Sequence, residues 1–206
     1  MKIAILGAGK LGVTLAQLAL KAGYGVTIAG SGDPDKIRLS MRVLAPGAHV
    51  DSVANAAEGA DIVILALPLS KFRNISSTLL KGKLVIDAMN YWWEVDGDLA
   101  EILTGGISSS EEVQRYFSDA RVVKALNHMG YHDLFDYAAP ERSQGRKAIA
   151  IAGDSPQDTE AVAQFVSNLG FEPYIAGTLA DGKAFEPGGL IFGVSADIAT
   201  VKHLLS

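Results

Sequence analysis

The N-terminal thirty residues leave this chain few folds to choose from. Lys2 to Leu6 is a short apolar run of strand type, and it ends at once in Gly7-Ala8-Gly9-Lys10-Leu11-Gly12. That hexapeptide is a complete G-x-G-x-x-G. Leu11, Leu15 and Leu18 then recur at helical spacing, with Val13, Ala16 and Ala19 beside them. The helix is expected to end near Ala22-Gly23, where glycine suits a cap, and Val26 to Ala29 reads as a second strand. Strand, glycine loop, helix and strand fit within roughly 30 residues, the size of a βαβ unit. In that context each glycine has a task. Gly7 permits the tight turn, Gly9 lets backbone approach a pyrophosphate, and Gly12 lets the helix pack on the strand. The helix N-terminus adds free N–H groups and partial positive charge.

The pattern continues. A helix is expected over Pro34 to Leu44, a strand over Ala48 to Val50, and a brief helix over Ser52 to Glu58. Asp61 to Leu67 is a strongly apolar strand, as in a sheet buried on both faces. Leu69 to Leu80 reads as helical and Leu84 to Ile86 as the fifth strand. The fold class is therefore α/β, a Rossmann-type doubly wound parallel sheet. Tyr91 to Ser110 is loop-rich. Glu111 to Phe117 is a short helix, Arg121 to Leu126 a strand, and Asp133 to Glu141 a partly helical excursion. Ala148 to Ala152 is a strand, Pro156 to Leu169 a helix closed by Gly170, and Pro173 to Ala176 the last strand. Gly177 to Gly189 reads mostly as loop and Ile198 to Leu205 as a terminal helix. We therefore expect a nucleotide-binding domain over 1–120. A short α/β C-terminal extension over 121–206 would complete the substrate pocket, packed with it as one unit.

Composition removes several classes. The chain has 206 residues, no cysteine, a net charge of −5 and a pI of about 5.3. Without cysteine there is no disulfide framework, thiolate nucleophile, Cys-ligated zinc or iron–sulfur cluster. That suits a reducing cytoplasm, the expected location. The acidic balance argues against nucleic-acid binding, and no apolar run reaches the ~18 residues that span a bilayer.

Strand ends carry the remaining detail. An NAD site usually places Asp or Glu at the end of the second strand, on the ribose 2′-OH. Here the strand runs into Gly30-Ser31-Gly32, and Asp33 comes late. A serine hydroxyl and backbone N–H groups suit a 2′-phosphate, with Lys36 and Arg38 adding charge, so NADP is expected rather than NAD. Ala66, Leu67 and Pro68 end the fourth strand and Asn90 the fifth, where ligands of open α/β sheets sit.

At this point the chain resembles a known family, the deazaflavin (coenzyme F420)-dependent NADP oxidoreductases. Beyond the glycine loop, Arg121-Val122-Val123-Lys124-Ala125-Leu126-Asn127 is similar to the family's V-V-K-A-F-N strand end. Ala150-Ile151-Ala152-Gly153-Asp154 is similar to its V/I-A-G-D-D turn, and Leu169-Gly170-Phe171 with Ala176-Gly177-Thr178-Leu179 to its closing L-G-F…D-A-G-P-L. The likeness runs from Met1 to about Leu190. It implies hydride transfer between NADP(H) and a deazaflavin or flavin ring. Where the family has Ser-Arg after the second strand, this chain has Ser31-Gly32, so the phosphate clamp implied by the resemblance is weaker or rebuilt. Asn90 to Glu94 and Phe185 to Gly189 resemble one branch of the family.

No triad, carboxylate pair or metal cluster stands out. His128 and His132 are four apart, but no third ligand is evident, and no metal is expected. That silence fits ring-to-ring hydride transfer, in which the cofactors carry the reaction and the protein orients them. The acceptor pocket is expected over the nicotinamide, walled by Pro68, Asn90, Asn127, His128 and Met129, with Trp92 or Trp93 stacking on a flat ring. A carbonyl substrate would need a proton donor. His128 is the candidate catalytic residue for it, ahead of Tyr91 or Tyr131. Two other readings stand beside this one: a non-catalytic NADPH-binding sensor, and an NADPH-dependent metal-chelate or quinone reductase. A homodimer is expected, with Val194 to Leu205 packing across its interface.

Overall fold

The computed structural model describes residues 1–103, 105–140 and 143–206. Strands β1 (Lys2–Leu6), β2 (Gly25–Ala29), β3 (His49–Val50), β4 (Ile62–Leu65), β5 (Leu84–Asp87) and β6 (Arg121–Lys124) lie in the order 3-2-1-4-5-6, all parallel. This is the strand order of the Rossmann dinucleotide fold. Two more strands extend the sheet to eight: β7 (Ala148–Gly153), antiparallel to β6, and β8 (Glu172–Gly177), parallel to β7.

Helices cover both faces. They are α1 (Lys10–Lys21), α2 (Asp35–Leu44), α3 (Val53–Glu58), the one-turn α4 (Trp93–Asp96) and α5 (Leu99–Ile102), α6 (Ser109–Tyr116), α7 (Tyr131–Tyr137), α8 (Pro156–Leu169) and α9 (Ile198–Leu204). Alternation along each strand divides the core. Ile3 and Ile5 of β1 join Leu15, Leu18 and Phe165 on one side; Ala4 and Leu6 join Leu69, Phe72 and Phe117 on the other. β4 is buried at all four positions, as a central parallel strand should be. Each such aliphatic side chain contributes about 1.5–3 kcal/mol on burial. A third cluster lies beyond β6. There the small Ala148, Ala150 and Ala152 leave room for Phe185, Ile191 and Val201.

The structure departs from the expected elements in several places. The helix expected over Leu69–Leu80 is two 3₁₀ turns, Leu69–Asn74 and Ser77–Leu80, parted where Ile75 and Ser76 are extended. A β-branched residue followed by hydroxyl side chains is a poor helix interior. The stretch expected to be loop after Gly177 contains a 3₁₀ helix, Leu179–Phe185, started by a reciprocal Thr178–Asp181 capping box. The strand expected to reach Leu126 stops at Lys124, because Leu126 turns into the left-handed region at φ 65°. Of the Asp133–Glu141 excursion, the helix begins earlier, at Tyr131, and Glu141 lies outside the described residues. The C-terminal helix α9 forms where the sequence predicts one. Val201 is buried, and Val194, Ile198 and Leu205 are partly buried against this chain's third cluster.

Candidate active site

Sheet register brings the predicted residues to one edge. Ala29, Leu6, Leu65, Asp87 and Lys124 are paired in sequence across five parallel strands. The residues that follow them therefore leave the sheet at the same level, on the carboxyl side where such folds bind ligands.

The glycine loop occupies the middle of this edge. Gly7 has φ 123°, and a Cβ there would lie 2.0 Å from the Ala66 carbonyl oxygen. The loop after β1 thus rests directly on the end of β4. A Cβ on Gly12 would lie 1.9 Å from the Gly7 carbonyl oxygen, so α1 approaches its own loop as only glycine permits. Gly9 differs. Nothing lies within 4 Å of where its Cβ would be, and it begins α1 without a side-chain cap or an acidic residue in the first turn. Packing explains the first and third glycines; the second opens onto free space beside the helix N-terminus. Ala8, Gly9 and Lys10 also border a cleft of about 550 Å³ between α1 and α7, where the Lys10 ammonium sits 5.5 Å from the Tyr131 ring centre. Leu11 is half-buried against the core.

At the β2 end, a Cβ on Gly30 would meet Ile37 at 3.3 Å and the Ala8 methyl at 3.9 Å, so this loop abuts the glycine loop. Ser31, Gly32 and Lys36 are exposed. Asp33, the late carboxylate, accepts the Asp35 N–H at 2.9 Å and so serves the start of α2. Arg38 is paired with Asp35 at 2.9 Å. Ala66 and Leu67 are half-buried and Pro68 is exposed.

The other end, past β5 and β6, is built from buried polar groups. Asn90 donates from Nδ2 to the Asn127 carbonyl at 2.8 Å. Asn127 donates back to Asn90 Oδ1 at 3.0 Å and to the Phe185 carbonyl at 2.8 Å. Asn127 Oδ1 is buried and takes no hydrogen bond among the described residues. The left-handed Leu126 just before it turns the chain out of β6. Beneath lies a fully buried Lys124–Asp87 ion pair at 3.3 Å. Residue reading missed this pair as part of the site. A lysine and an aspartate inside short apolar strands were its only signal, and their register cannot be read from either strand alone.

Two expected pocket residues are placed elsewhere. His128 and Met129 are 1% and 2% exposed and face the interior. His128 Nε2 accepts the Ala150 N–H of β7 at 3.1 Å, and its backbone carbonyl accepts the Gly193 N–H. Burial lowers its pKa to about 4, opposed by the backbone of Val194. It is thus a neutral tie between β6 and β7 rather than a substrate-facing acid. It also precedes α7 and is parted from the exposed His132, and no cluster of three metal-ligating side chains occurs among the described residues. Tyr91 donates its hydroxyl to the Gly97 carbonyl at 2.7 Å. Trp92 is 48% exposed and meets Phe192 edge-on, centroids 5.7 Å apart; Trp93 is 70% exposed. No helix among the described residues is long and apolar enough to cross a membrane.

Strand order, glycine loop and crevice edge define a Rossmann-type NAD(P)-binding fold. More particularly, residues 2–91 match the family described as NADP oxidoreductase, coenzyme F420-dependent. Two solved structures resemble nearly the whole chain. Hypothetical protein SMa0349 from Sinorhizobium meliloti is 27% identical, with 95% of this chain and 94% of that one covered and a TM-score of 0.81. A provisionally assigned F420-dependent NADP-reductase from Arthrobacter sp. FB24 is 26% identical, covering 89% and 87%, with a TM-score of 0.74. An imine reductase from Pseudomonas sp. shares the fold at 18% identity and a TM-score of 0.61, with 86% of this chain and 55% of that one covered. Among curated proteins, YjhV of Escherichia coli (strain K12) is 38% identical over 48 residues. That match takes in 23% of this chain and 35% of the relative.

Proposed function

We propose that this chain is an NADP(H)-dependent oxidoreductase that moves a hydride between the nicotinamide and a flavin- or deazaflavin-like ring. The observation that carries the cofactor choice is the end of β2. No carboxylate stands at Gly30, Ser31 or Gly32, and Asp33 is engaged in starting α2. Gly7 to Gly12 receive the pyrophosphate on backbone N–H groups, through the space left at Gly9. Ser31, Gly32 and Lys36 face the 2′-phosphate. Ala66, Leu67 and Pro68 line the ribose, and Asn90, with Asn127, meets the nicotinamide end. When bound, NADP(H) supplies or accepts the hydride.

The acceptor follows from what the side chains offer. A carbonyl needs a proton donor in the transition state; the first candidate for it, His128, is buried and neutral, and the Tyr91 hydroxyl is engaged with the Gly97 carbonyl. Ring-to-ring transfer needs chiefly close, dry stacking. The exposed Trp92, backed by Phe192, supplies a flat apolar face on the same loop as Asn90. In this reading the first 120 residues bind the nucleotide and the remainder completes the acceptor end. A homodimer in the cytoplasm belongs to the same reading, and light scattering tests the dimer.

Calorimetric titration with NADPH and NADH, followed by turnover with oxidised flavins and a deazaflavin, tests the proposal. Tighter NADPH binding with oxidation by a ring acceptor is expected. Equal affinity for both nucleotides would overturn the NADP assignment. NADPH binding with no turnover on any ring would favour the sensor reading.

A further inference from the structure

We infer that the buried Asp87–Lys124 pair is a positioning device that sets the nicotinamide end of the crevice by holding the backbone of Met89 on both sides. The inference rests on the nucleotide reading above and assigns residues that reading does not use. Met89 follows the ladder's end; the last sheet-like bond is Ala88 N–H to the Leu65 carbonyl. Its own N–H and carbonyl therefore need partners away from the strands. Asp87 Oδ1 accepts the Met89 N–H at 2.9 Å, and Lys124 Nζ donates to the Met89 carbonyl at 2.7 Å. One ion pair thus fixes both polar groups of the residue immediately before Asn90.

The pair is itself held. Ser110 Oγ donates to Asp87 Oδ2 at 2.6 Å, and Lys124 Nζ reaches Ser109 Oγ at 3.4 Å. Gly182 lies against the lysine stem, where a Cβ would come within 3.3 Å. Both charged side chains have no solvent exposure. Stability alone does not call for such an arrangement, since apolar residues of similar volume often serve as well in a buried site. What an apolar pair cannot supply is a donor and an acceptor aimed at one peptide segment. Asn90 then leaves the clamp in a fixed direction and joins Asn127 reciprocally. The amide pair at the crevice is placed by the ion pair below it.

The test compares two ligands that differ only at the nicotinamide end: NADPH and 2′-phospho-ADP-ribose. Calorimetry on the wild-type chain comes first. If NADPH gains nothing over the truncated ligand, the placement of the nicotinamide falls, independently of the clamp. Given that gain, the near-isosteric double variant Asp87→Asn/Lys124→Met removes both charges without leaving one unpaired. It is expected to lose up to about tenfold in NADPH affinity, the worth of a hydrogen bond or so, while 2′-phospho-ADP-ribose binds unchanged. A purely structural pair would alter both affinities or neither, and either result overturns the inference. Should the double variant not fold, Asn90→Ala decides the matter. The clamp acts through Asn90, so an unchanged affinity ratio in that variant overturns it as well, and a selective loss of NADPH supports it.

Discussion

The two ends of the crevice are made of different materials. At the glycine loop the wall is backbone, shaped by side chains that are missing: Gly7 and Gly12 admit close approach, and Gly9 leaves space. Past β5 and β6 the wall is largely buried polar side chains, in which Asp87, Asn90, Lys124 and Asn127 bond to one another and to the main chain. The first end spans six consecutive residues. The second joins residues 37 apart in sequence and reaches the Phe185 carbonyl, 58 positions beyond Asn127. A phosphate carries its own charge and is met by a helix N-terminus built locally. A flat ring is held by direction and shape, which requires several elements to converge.

The sharpest way to separate the ends is to damage each and ask whether the fold or only the binding suffers. Lys124→Ala has the largest expected effect. It leaves Asp87 buried without its cation, a loss of about 3–5 kcal/mol, to be read as a lower urea midpoint at unchanged slope. A loss below 1 kcal/mol would mean that water or a rearrangement reaches the site. At the loop end, Gly12→Ala and Gly9→Ala should part company. The Gly12 variant forces a methyl into the Gly7 carbonyl and should cost about 3 kcal/mol. The Gly9 variant meets nothing, so its stability should stay within about 0.5 kcal/mol of wild type while NADPH affinity falls. If both lose stability alike, the distinction between packing glycine and ligand-facing glycine fails.

The same contrast explains what was legible in the sequence. The glycine loop, the β2 end and most elements follow from spacing within one short window, and α8 (Pro156–Leu169) coincides with its capping signals, Ser155 before and Gly170 after. Asn90 and Asn127 could be placed at strand ends, but their mutual hydrogen bonds depend on β5 pairing with β6. His128 shows why proximity along the chain misleads. One residue past Asn127, it is bound to β7 while Asn127 meets Asn90 and the Phe185 carbonyl, beyond a left-handed turn at Leu126 that no local pattern announces for a leucine. Its use as an acceptor for the Ala150 N–H depends on a strand 20 residues downstream that runs antiparallel. Ser109, Ser110 and Gly182 became partners of the ion pair by the same long-range route.

His128 also gives the far end a pH signature. Its pKa is about 4 in the fold against 6.5 for an ordinary histidine. Between those values the unfolded chain binds the proton and the folded chain does not, so acid favours unfolding. The contribution is complete above about pH 6.5, is lost as pH falls toward 4, and amounts to about 3 kcal/mol. Urea unfolding at pH 7 and pH 4.5 should show wild type losing more stability than His128→Gln, in which no imidazole titrates. Parallel losses would show that other groups dominate in this window.

The smallest effect concerns the β2 end, where the wall is neither tight backbone nor buried side chain but exposed residues. Lys36 lies in solvent at the start of α2, with Asp33 and Asp35 close in sequence. An exposed charge pair is worth at most about 1 kcal/mol and is screened by salt. Lys36→Glu should therefore weaken NADPH binding only several-fold and leave NADH unaffected, and the difference should shrink as ionic strength rises. Calorimetry at two salt concentrations reads both. A loss shared by NADH would place the lysine against some other part of the nucleotide. No loss for either would assign the 2′-phosphate to Ser31 and the backbone of Gly30 to Gly32 alone, making this end of the crevice a second case of recognition by main chain.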